Sequence, residues 1–497
     1  LILVSRPDHF WPRGTVLGKK LTFWLLYKWY RRPKNSPPGP RGIPLLGVLP
    51  LLGRYPERTL HEWSKKYGPV MSVRMGRQDW LVLGDHGTIH QALVKQSHTF
   101  SGRPHVPTLH RITQGRGLAF VDHGPAWKAQ RKFGAVTLRG FGVGKKGMED
   151  KIVEEVHYLN DAIRQHEGKP FNILAILSNA VSNNICSVIL GRRFDYNDKD
   201  FQDIVHKMTR DFTDPKSTAL TNASVFAPVL DNFPPFAQNT NQRVNDAMVV
   251  REMLLKYVKE HKATFDREDA RDFIDAFLKE AELSKEPSFN DTQLLHYLHD
   301  LFLGGTETTT STLRWALLCL LHYPQTQTKL REEINEVIGD GKVSYSCKVD
   351  MPYTCAFIQE LYRYRTLLPL SLTHKTNEKA MLGEYTIPKS TIVSVNLWAV
   401  HNDPNTWEEP SMFKPERHLD ESGHFVQSKH VIPFSVGPRH CVGEQLARME
   451  VFIYLVSMVQ KFEFLPDPNA NELPDIEKGS NGPAFVPQMF DIVAKVI

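Results

Sequence analysis

A chain of 497 residues is long enough for about three average domains, yet no low-complexity linker, internal repeat or abrupt shift in composition divides it. With 41% hydrophobic residues it can build a core large enough to enclose a cofactor, and large-scale disorder is excluded. The formal charge of +6 is modest and spread along the chain, so nucleic acid is not implied; five cysteines without a C-x-x-C pair fit a reducing compartment better than a disulfide framework or a zinc site.

In chain order, residues 1–36 read as the remnant of an N-terminal membrane anchor with a basic segment, or as a segment lying at the membrane surface, with a targeting peptide as the alternative. Residues 21–27 are apolar but shorter than the roughly 20 residues a membrane span needs. Lys19, Lys20, Lys28, Arg31, Arg32 and Lys34 surround them, and Trp24, Tyr27, Trp29 and Tyr30 are of the type that lines membrane interfaces. Pro37-Pro38-Gly39-Pro40 predicts a stiff, extended spacer ahead of one globular domain over residues 37–497. Apolar β-formers around Gly76 predict a hairpin over residues 70–85. Helical patterns dominate from about residue 125, where Trp127 and Arg131 stand at i and i+4 on one helix face. Lys128, Arg131, Lys132, Arg139, Lys145 and Lys146 form a basic run that reads either as a solvated face or as a dock for an acidic partner. The apolar, proline-bearing residues 225–230 and 233–236 either dip into a membrane or pack on the protein.

Residues 294–321 form a long apolar helical stretch, interrupted by Gly304-Gly305-Thr306-Glu307-Thr308-Thr309. Glycine costs a helix interior about 1 kcal/mol relative to alanine, so the pair predicts either the close approach of a flat group or a local opening. Glu307 and Thr308 bring an acid and a hydroxyl, which is equipment for relaying protons or a polar patch at a helix crossing. Leu330, Ile334, Val337 and Ile338 give a helical stripe closed by Gly339. Glu360 and Arg363 stand at i and i+3, by default a surface ion pair. Residues 380–396 read as short strands broken by Gly383 and Pro388. Then comes Phe434-Ser435-Val436-Gly437-Pro438-Arg439-His440-Cys441-Val442-Gly443, or F-x-x-G-x-R-x-C-x-G. The glycines let the backbone turn tightly and let a flat cofactor approach. The helix expected after Val442, with its stripe Leu446, Val451, Leu455, Met458, Val459 and Phe462, aims its positive end at Cys441, and Arg439 adds a nearby cation. A buried structural cysteine is the alternative.

The decapeptide resembles the haem-binding loop of the cytochrome P450 superfamily, the haem-thiolate monooxygenases, with every fixed position present. The resemblance runs from about Pro37 onward and is nearest to the animal microsomal enzymes that oxidise drugs, fatty acids and steroids. It implies a mainly α fold with a small β portion, built as a single large haem-enclosing domain. It also implies haem b, iron protoporphyrin IX, with Cys441 as the iron ligand and with Phe434, Arg439, Gly443, Gly304 and Gly305 around the cofactor. Trp127, Arg131, Arg103 in Phe100-Ser101-Gly102-Arg103, and His374 match positions that reach the haem propionates. Residues 304–309 match the family's central helix motif, A/G-G-x-D/E-T-T/S, which makes Glu307 and Thr308 the catalytic pair that delivers protons. Glu360 and Arg363, with Arg417 from Pro415-Glu416-Arg417, match a buried structural set; His418 replaces the usual aromatic residue.

The resemblance further implies insertion of one atom of dioxygen into a lipophilic small molecule, a xenobiotic, fatty acid or steroid. The chain has no G-x-G-x-x-G fingerprint after a strand, so its electrons come from outside. The implied donors are NADPH-cytochrome P450 reductase and, as a helper, cytochrome b5, at the cytoplasmic face of the endoplasmic reticulum membrane. The run containing Lys128 and Lys132 is the candidate docking face. By position, residues 106–120, Phe212, Phe302, Gly305, residues 367–370 and Ala484-Phe485-Val486 are the candidate walls of an apolar substrate cavity. Two other readings stand beside this one: a reductase-independent haem-thiolate isomerase or dehydratase acting on peroxides, and a non-enzymatic haem sensor. Isomerase-type relatives tend to lose the acid–threonine pair, which this chain keeps.

Overall fold

The computed structural model describes residues 24, 27, 29–141, 146–482 and 484–497. The anchor expected over residues 1–36 therefore lies largely outside the described residues. Among those described, Trp24, Tyr27 and Tyr30 are exposed, and no helix is long and apolar enough to cross a membrane.

The proline run is not the free spacer its composition predicts. It lies along β1 (Val70–Met75), where the backbone N–H groups of Ser72 and Arg74 donate to the carbonyls of Pro38 (2.8 Å) and Pro40 (3.4 Å). Gly39 makes this approach feasible, because a Cβ there would stand 2.4 Å from the Ser72 carbonyl oxygen. β1 turns through Gly76 (φ +57°) into β2 (Gln78–Leu83), and the two pair antiparallel as the predicted hairpin.

Helices then take over. α1 (Pro125–Gly140) starts on a proline, whose missing N–H costs nothing in a first turn, and buries Trp127, Gln130 and Leu138. α2 (Leu174–Ile189) is buried along most of its length, and α3 (Phe236–Ala263) lies nearer the surface. α4 (Asp291–His322) is capped by the Asn290 side chain, which accepts the Gln293 N–H. It is about 48 Å long at 1.5 Å per residue and is buried all round from Leu313 to Leu321, a stretch apolar but for Arg314, which donates to the Gln488 carbonyl (3.0 Å). α5 (Pro324–Val337) buries Leu330 and Ile334 and stops before Gly339 (φ +56°). α6 (Pro352–Tyr364) carries Glu360 and Arg363. β3 (His374–Lys375), the hairpin β4 (Ala380–Leu382) and β5 (Tyr385–Ile387), and β6 (Ile392–Val395) follow. β6 runs parallel to β2 and antiparallel to β3, which gives a four-stranded sheet in the order β1-β2-β6-β3. α7 (Glu444–Lys461) follows the cysteine loop and buries its predicted stripe from Leu446 to Val459, while Phe462, expected on the helix, begins the strand Phe462–Pro466. Two small sheets complete the C-terminal part. One large helical core and two lesser apolar clusters flanking the four-stranded sheet make this the predicted mainly α fold with a small β portion.

An ionic cluster fixes the approach to the cysteine loop. Glu360 and Arg363 are both 0% exposed, and Arg363 Nη2 and Nε donate to the two Glu360 oxygens at 2.6 and 2.8 Å. Arg417 Nε adds a third donor at 3.0 Å. The departure at His418 enlarges the set. Its Nε2–H donates to Glu360 Oε2 (3.0 Å), while its Nδ1 accepts from Gln359 Nε2 (2.8 Å). Both ring nitrogens are used, so the imidazole is a fourth member of the cluster rather than a gap in the packing.

Candidate functional site

The cysteine loop is closed by the Cys441 N–H donating to the Phe434 carbonyl (3.0 Å). At Gly437 (φ +80°) a Cβ would meet the Leu93 carbonyl oxygen at 2.1 Å, so only glycine lets the loop press against the segment Gln91–Lys95. The Phe434 ring stands edge-on to Tyr362 of α6 (5.5 Å) and under Arg448 of α7 (4.9 Å), which wedges the loop between these helices. Gly443 caps α7, and its N–H donates to the sulfur. Cys441 is exposed, yet burial pushes its thiol pKa up; the Gly443 N–H and the charge of Arg131 pull the other way without prevailing. Both facts hold when the sulfur lines a recess deep in the protein. The positive end of α7 therefore does not secure the anion unaided, and a bound cation is needed to hold the thiolate.

Arg439 is not the cation beside the sulfur. Its guanidinium stacks on the Trp127 ring (3.8 Å to the centroid) and donates to the carbonyls of Ser101 (2.9 Å) and Val121 (2.7 Å). Arg131 takes the predicted role of Arg439 instead: it donates to the His440 carbonyl (2.5 Å) and acts on Cys441. Arg103 is buried and donates to the carbonyls of Thr373 (2.7 Å) and Ala119 (3.0 Å). His374 donates its Nδ1–H to the Phe100 carbonyl (2.9 Å). The four residues expected at the propionates, Trp127, Arg131, Arg103 and His374, thus converge with Arg439 from α1, the turn at 101–103, β3 and the cysteine loop. Burial, then Arg103 and Arg131, push Arg439 down to about 8, with only Asp122 opposing. A guanidinium does not surrender its proton near neutrality, so such a cluster calls for anions.

α4 passes through its two glycines without opening. Gly305 packs on Ile185 of α2, whose side chain lies 3.0 Å from where a Cβ would be, so a helix and not a flat group makes the close approach there. Gly304 has no atom within 4 Å of that point and faces open space. Thr308 Oγ1 donates to the Gly304 carbonyl (2.8 Å) beside it. Glu307 is turned into the core: Ser311 donates to its Oε1 (2.8 Å), and its Oε2 is buried without a partner. Thr306 and Thr309 serve helix crossings, through Ser182 of α2 (3.1 Å) and Glu450 of α7 (3.1 Å).

The sequence reading missed the clips that hold residues 117–119 on α4. The Asp300 carboxylate accepts from the N–H groups of Leu118 (2.7 Å) and Ala119 (3.0 Å), and Gln293 exchanges two hydrogen bonds with Gly117 (3.2 and 2.8 Å). Asp300, an acid in the apolar run besides Glu307, was the available signal.

A profile of the cytochrome P450 family matches residues 37–489. Cytochrome P450 2U1 of Bos taurus is 37% identical over 516 residues, covering 97% of this chain and 93% of its own. Cytochrome P450 2J5 of Mus musculus is 39% identical over 481 residues, covering 94% of each, and cytochrome P450 2F3 of Capra hircus is 38% identical over 465 residues, covering 92% and 94%. The chain belongs to the cytochrome P450 family. As a P450 it is a monooxygenase, an oxidoreductase of a family that holds haem iron through a cysteine thiolate, draws electrons from redox partners and acts on small molecules.

The residues present fit that group. Haem carries two carboxylates, and the site offers three guanidinium groups, a histidine and an indole N–H; it carries a metal, and the site offers one accessible sulfur in a buried recess. Phe302 and the stretch Ala484-Phe485-Val486, all expected as P450 cavity walls, do not fit. Phe302 is 0% exposed in the core, and Phe485 stacks on Trp315 (5.2 Å) with almost no free surface. Phe212, Leu367, Leu368 and Leu370 are half-buried and keep surface to offer.

Burial pushes Glu307 up to about 7, against the Ser311 hydrogen bond and the charge of Arg314. A carboxyl titrating near neutrality both takes and gives a proton. Its folded pKa is above its unfolded one, so the folded protein binds more protons in between and loses stability as pH rises from about 4.5 to 7. Glu307→Gln is expected to remove this slope and to gain a few kcal/mol at about pH 8. Urea unfolding at a series of pH values measures it, and an unchanged slope contradicts the assignment.

Proposed function

We propose that this chain is a haem b monooxygenase that inserts one atom of dioxygen into a lipophilic xenobiotic, fatty acid or steroid, with electrons from a NADPH-dependent flavoprotein reductase. The observation that carries the reading is the accessible sulfur of Cys441 in a buried recess beside a cluster of three guanidinium groups with no carboxylate among the described residues to match them but Asp122. When bound there, iron protoporphyrin IX supplies the oxidising chemistry. Cys441 is its ligand. Arg103, Arg131, Arg439, Trp127 and His374 would hold its carboxylates, and Gly304 leaves open space on that side of α4. Thr308 presents a hydroxyl, oriented by the Gly304 carbonyl, on the open side of α4. Glu307 is the proton store. The two side chains make no mutual contact, so a proton passes between them through water or by rotation of Glu307 about its side-chain bonds.

The domain belongs, in this reading, at the cytoplasmic face of the endoplasmic reticulum membrane, and the predicted membrane loop supports contact with a membrane surface. Val229 is 63% and Phe233 58% exposed, an apolar pair with no other evident use. On α1, Lys128, Lys132 and Arg139 are exposed along one face, Arg131 is turned inward, and Lys145 lies outside the described residues. That face suits the acidic surface of a reductase, with cytochrome b5 as a second donor. Reversing Lys128 and Lys132 to glutamate is expected to slow iron reduction about tenfold at low salt, with the gap closing as salt rises. Stopped-flow reduction kinetics with purified reductase decide it, and rates that match the unaltered protein remove the docking face.

The test of the function is a reconstituted assay. Product from a lipophilic substrate is expected only when NADPH, reductase and dioxygen are all present. Turnover of a peroxide with none of the three identifies an isomerase or dehydratase instead. Substrate-induced spectral shifts without any turnover identify a sensor.

A further inference from the structure

Three histidines outside the haem site stand together where the short helix His86–His90 meets the loop ahead of the cysteine decapeptide. His86 and His90 are at i and i+4, a spacing that puts two imidazoles on one helix face within reach of one metal ion. The His86 ring centre lies 6.2 Å from that of His90 and 4.7 Å from that of His430. Two imidazoles on one tetrahedral zinc ion, with bonds of about 2.0 Å, have ring centres about 5 Å apart, so the two observed spacings bracket the value a shared ion requires. All three residues are half-buried and none of the rings makes a hydrogen bond among the described residues, so turning their nitrogens onto one ion breaks no hydrogen bond. The backbones beneath them are fixed. Ile89, Ala92, Leu93 and Ile432 share one buried apolar cluster, the Asp85 carboxylate caps the helix by accepting the Thr88 N–H (3.0 Å), and the Ile432 N–H donates to His401 Nε2 (2.9 Å). A surface cavity of about 530 Å³, bounded by His86, Gly87, His90, Gln91 and Lys95, gives access. Burial, then His430 and His90, holds His86 below its ordinary value, and burial and Lys429 do so for His430, which favours the neutral form that ligates a metal. His261, Asp272 and Asp275 also stand together, but that group already has its cations. His261 donates from both ring nitrogens, to Tyr257 (2.7 Å) and Asp272 (2.5 Å), and Arg271 holds Asp275 (2.5 and 3.0 Å).

We propose that His86, His90 and His430 bind a divalent transition-metal ion of the zinc and copper class, with water completing its coordination. Three neutral imidazoles suit these ions and discriminate against magnesium and calcium, which take oxygen ligands. The site also has a structural consequence. His430 lies four residues before Phe434, and the helix of His86 and His90 runs on into Gln91–Lys95, whose Leu93 carbonyl seats Gly437. An ion shared by the three rings therefore cross-links two segments that hold the cysteine loop. The inference does not depend on the monooxygenase reading.

The experiment titrates untagged holoenzyme with zinc sulfate in competition with a chromophoric chelator, and with copper(II) under electron paramagnetic resonance. One zinc site is expected that a large excess of magnesium does not displace. His90→Ala and His430→Ala are each expected to weaken zinc binding at least about tenfold, since even a partner outside the coordination shell is worth about that much. His105→Ala, in a histidine pair elsewhere on the surface, is expected to leave it unchanged. Zinc is expected to raise the thermal midpoint of the unaltered protein and not that of His90→Ala, because an ion that binds only the folded state stabilises it. The copper spectrum is expected to show coupling to three imidazole nitrogens, and to two in His430→Ala. Zinc binding weaker than about 100 µM overturns the proposal. So does affinity that neither variant alters, which places the ion elsewhere, on the cysteine thiols for example. The nitrogen count in the unaltered protein needs no variant to fold, and a count below two overturns the proposal by itself.

Discussion

Cys441→Ser is expected to yield a folded protein whose reduced, carbon-monoxide-treated form lacks the strongly red-shifted band of a sulfur-ligated iron, with product formation reduced to background. A serine hydroxyl keeps the size of the thiol but stays protonated under any condition in which the protein folds. The surroundings of Cys441 magnify the difference. Burial pushes the thiol up, and the Gly443 N–H and Arg131 together do not offset it, so the thiolate exists because a metal holds it. Little else changes, since one atom in an accessible recess costs the fold about 1 kcal/mol or less. Absorption spectra, the reconstituted assay and a urea titration measure the three parts. A persistent red-shifted band in the serine protein removes Cys441 as the ligand.

The second large effect concerns folding. Glu360→Ala is expected to destabilise the protein by about 3–5 kcal/mol, the cost of stripping one partner from a buried ion pair. The carboxylate accepts from Arg363, Arg417, His418 and the Lys414 backbone N–H; without it, Arg363 keeps only the carbonyls of His401, Pro410 and Met412. His418→Phe, which restores the family's usual aromatic, is expected to cost less, about 1–2 kcal/mol, because Glu360 keeps its arginines and Gln359 keeps the Val426 carbonyl. Burial pushes Glu360 up, but the hydrogen bonds from Arg363 and His418 and the two arginine charges outweigh it and hold the carboxyl below its usual range. That stability is present above the unfolded carboxyl value, about pH 4.5, and is lost as pH falls through the lower folded value. Thermal and urea unfolding of the three proteins at neutral and acid pH test this. A Glu360→Ala protein as stable as the parent shows that the cluster does not hold the fold.

Both effects fall on residues that were legible from the chain. The decapeptide around Cys441, the i, i+3 spacing of Glu360 and Arg363, the hairpin about Gly76 and the stripes of α5 and α7 are short-range patterns. Each is written in residues a few positions apart, where backbone geometry alone decides which side chains share a face. The same holds for the glycines at 304 and 305, up to the point of asking what faces them.

What faces them was decided by neighbours distant in the chain. Gly305 meets Ile185, which leaves Gly304 alone toward the recess. Arg439 lies 338 positions from the Ser101 carbonyl it binds and points away from the sulfur two residues along; Arg131, which the charge run alone left between a solvated face and a dock and the resemblance put at a propionate, turns in to His440 309 positions away. His418 became a fourth partner of Glu360 because Gln359 satisfies its other nitrogen. By itself the sequence determined the helices, the turns and the reactive sulfur, since local periodicity and glycine freedom specify them. The tertiary structure alone decided which cation serves the sulfur, which glycine is open and where unpaired charge collects, because burial and long-range charge depend on contacts that no short stretch of chain encodes.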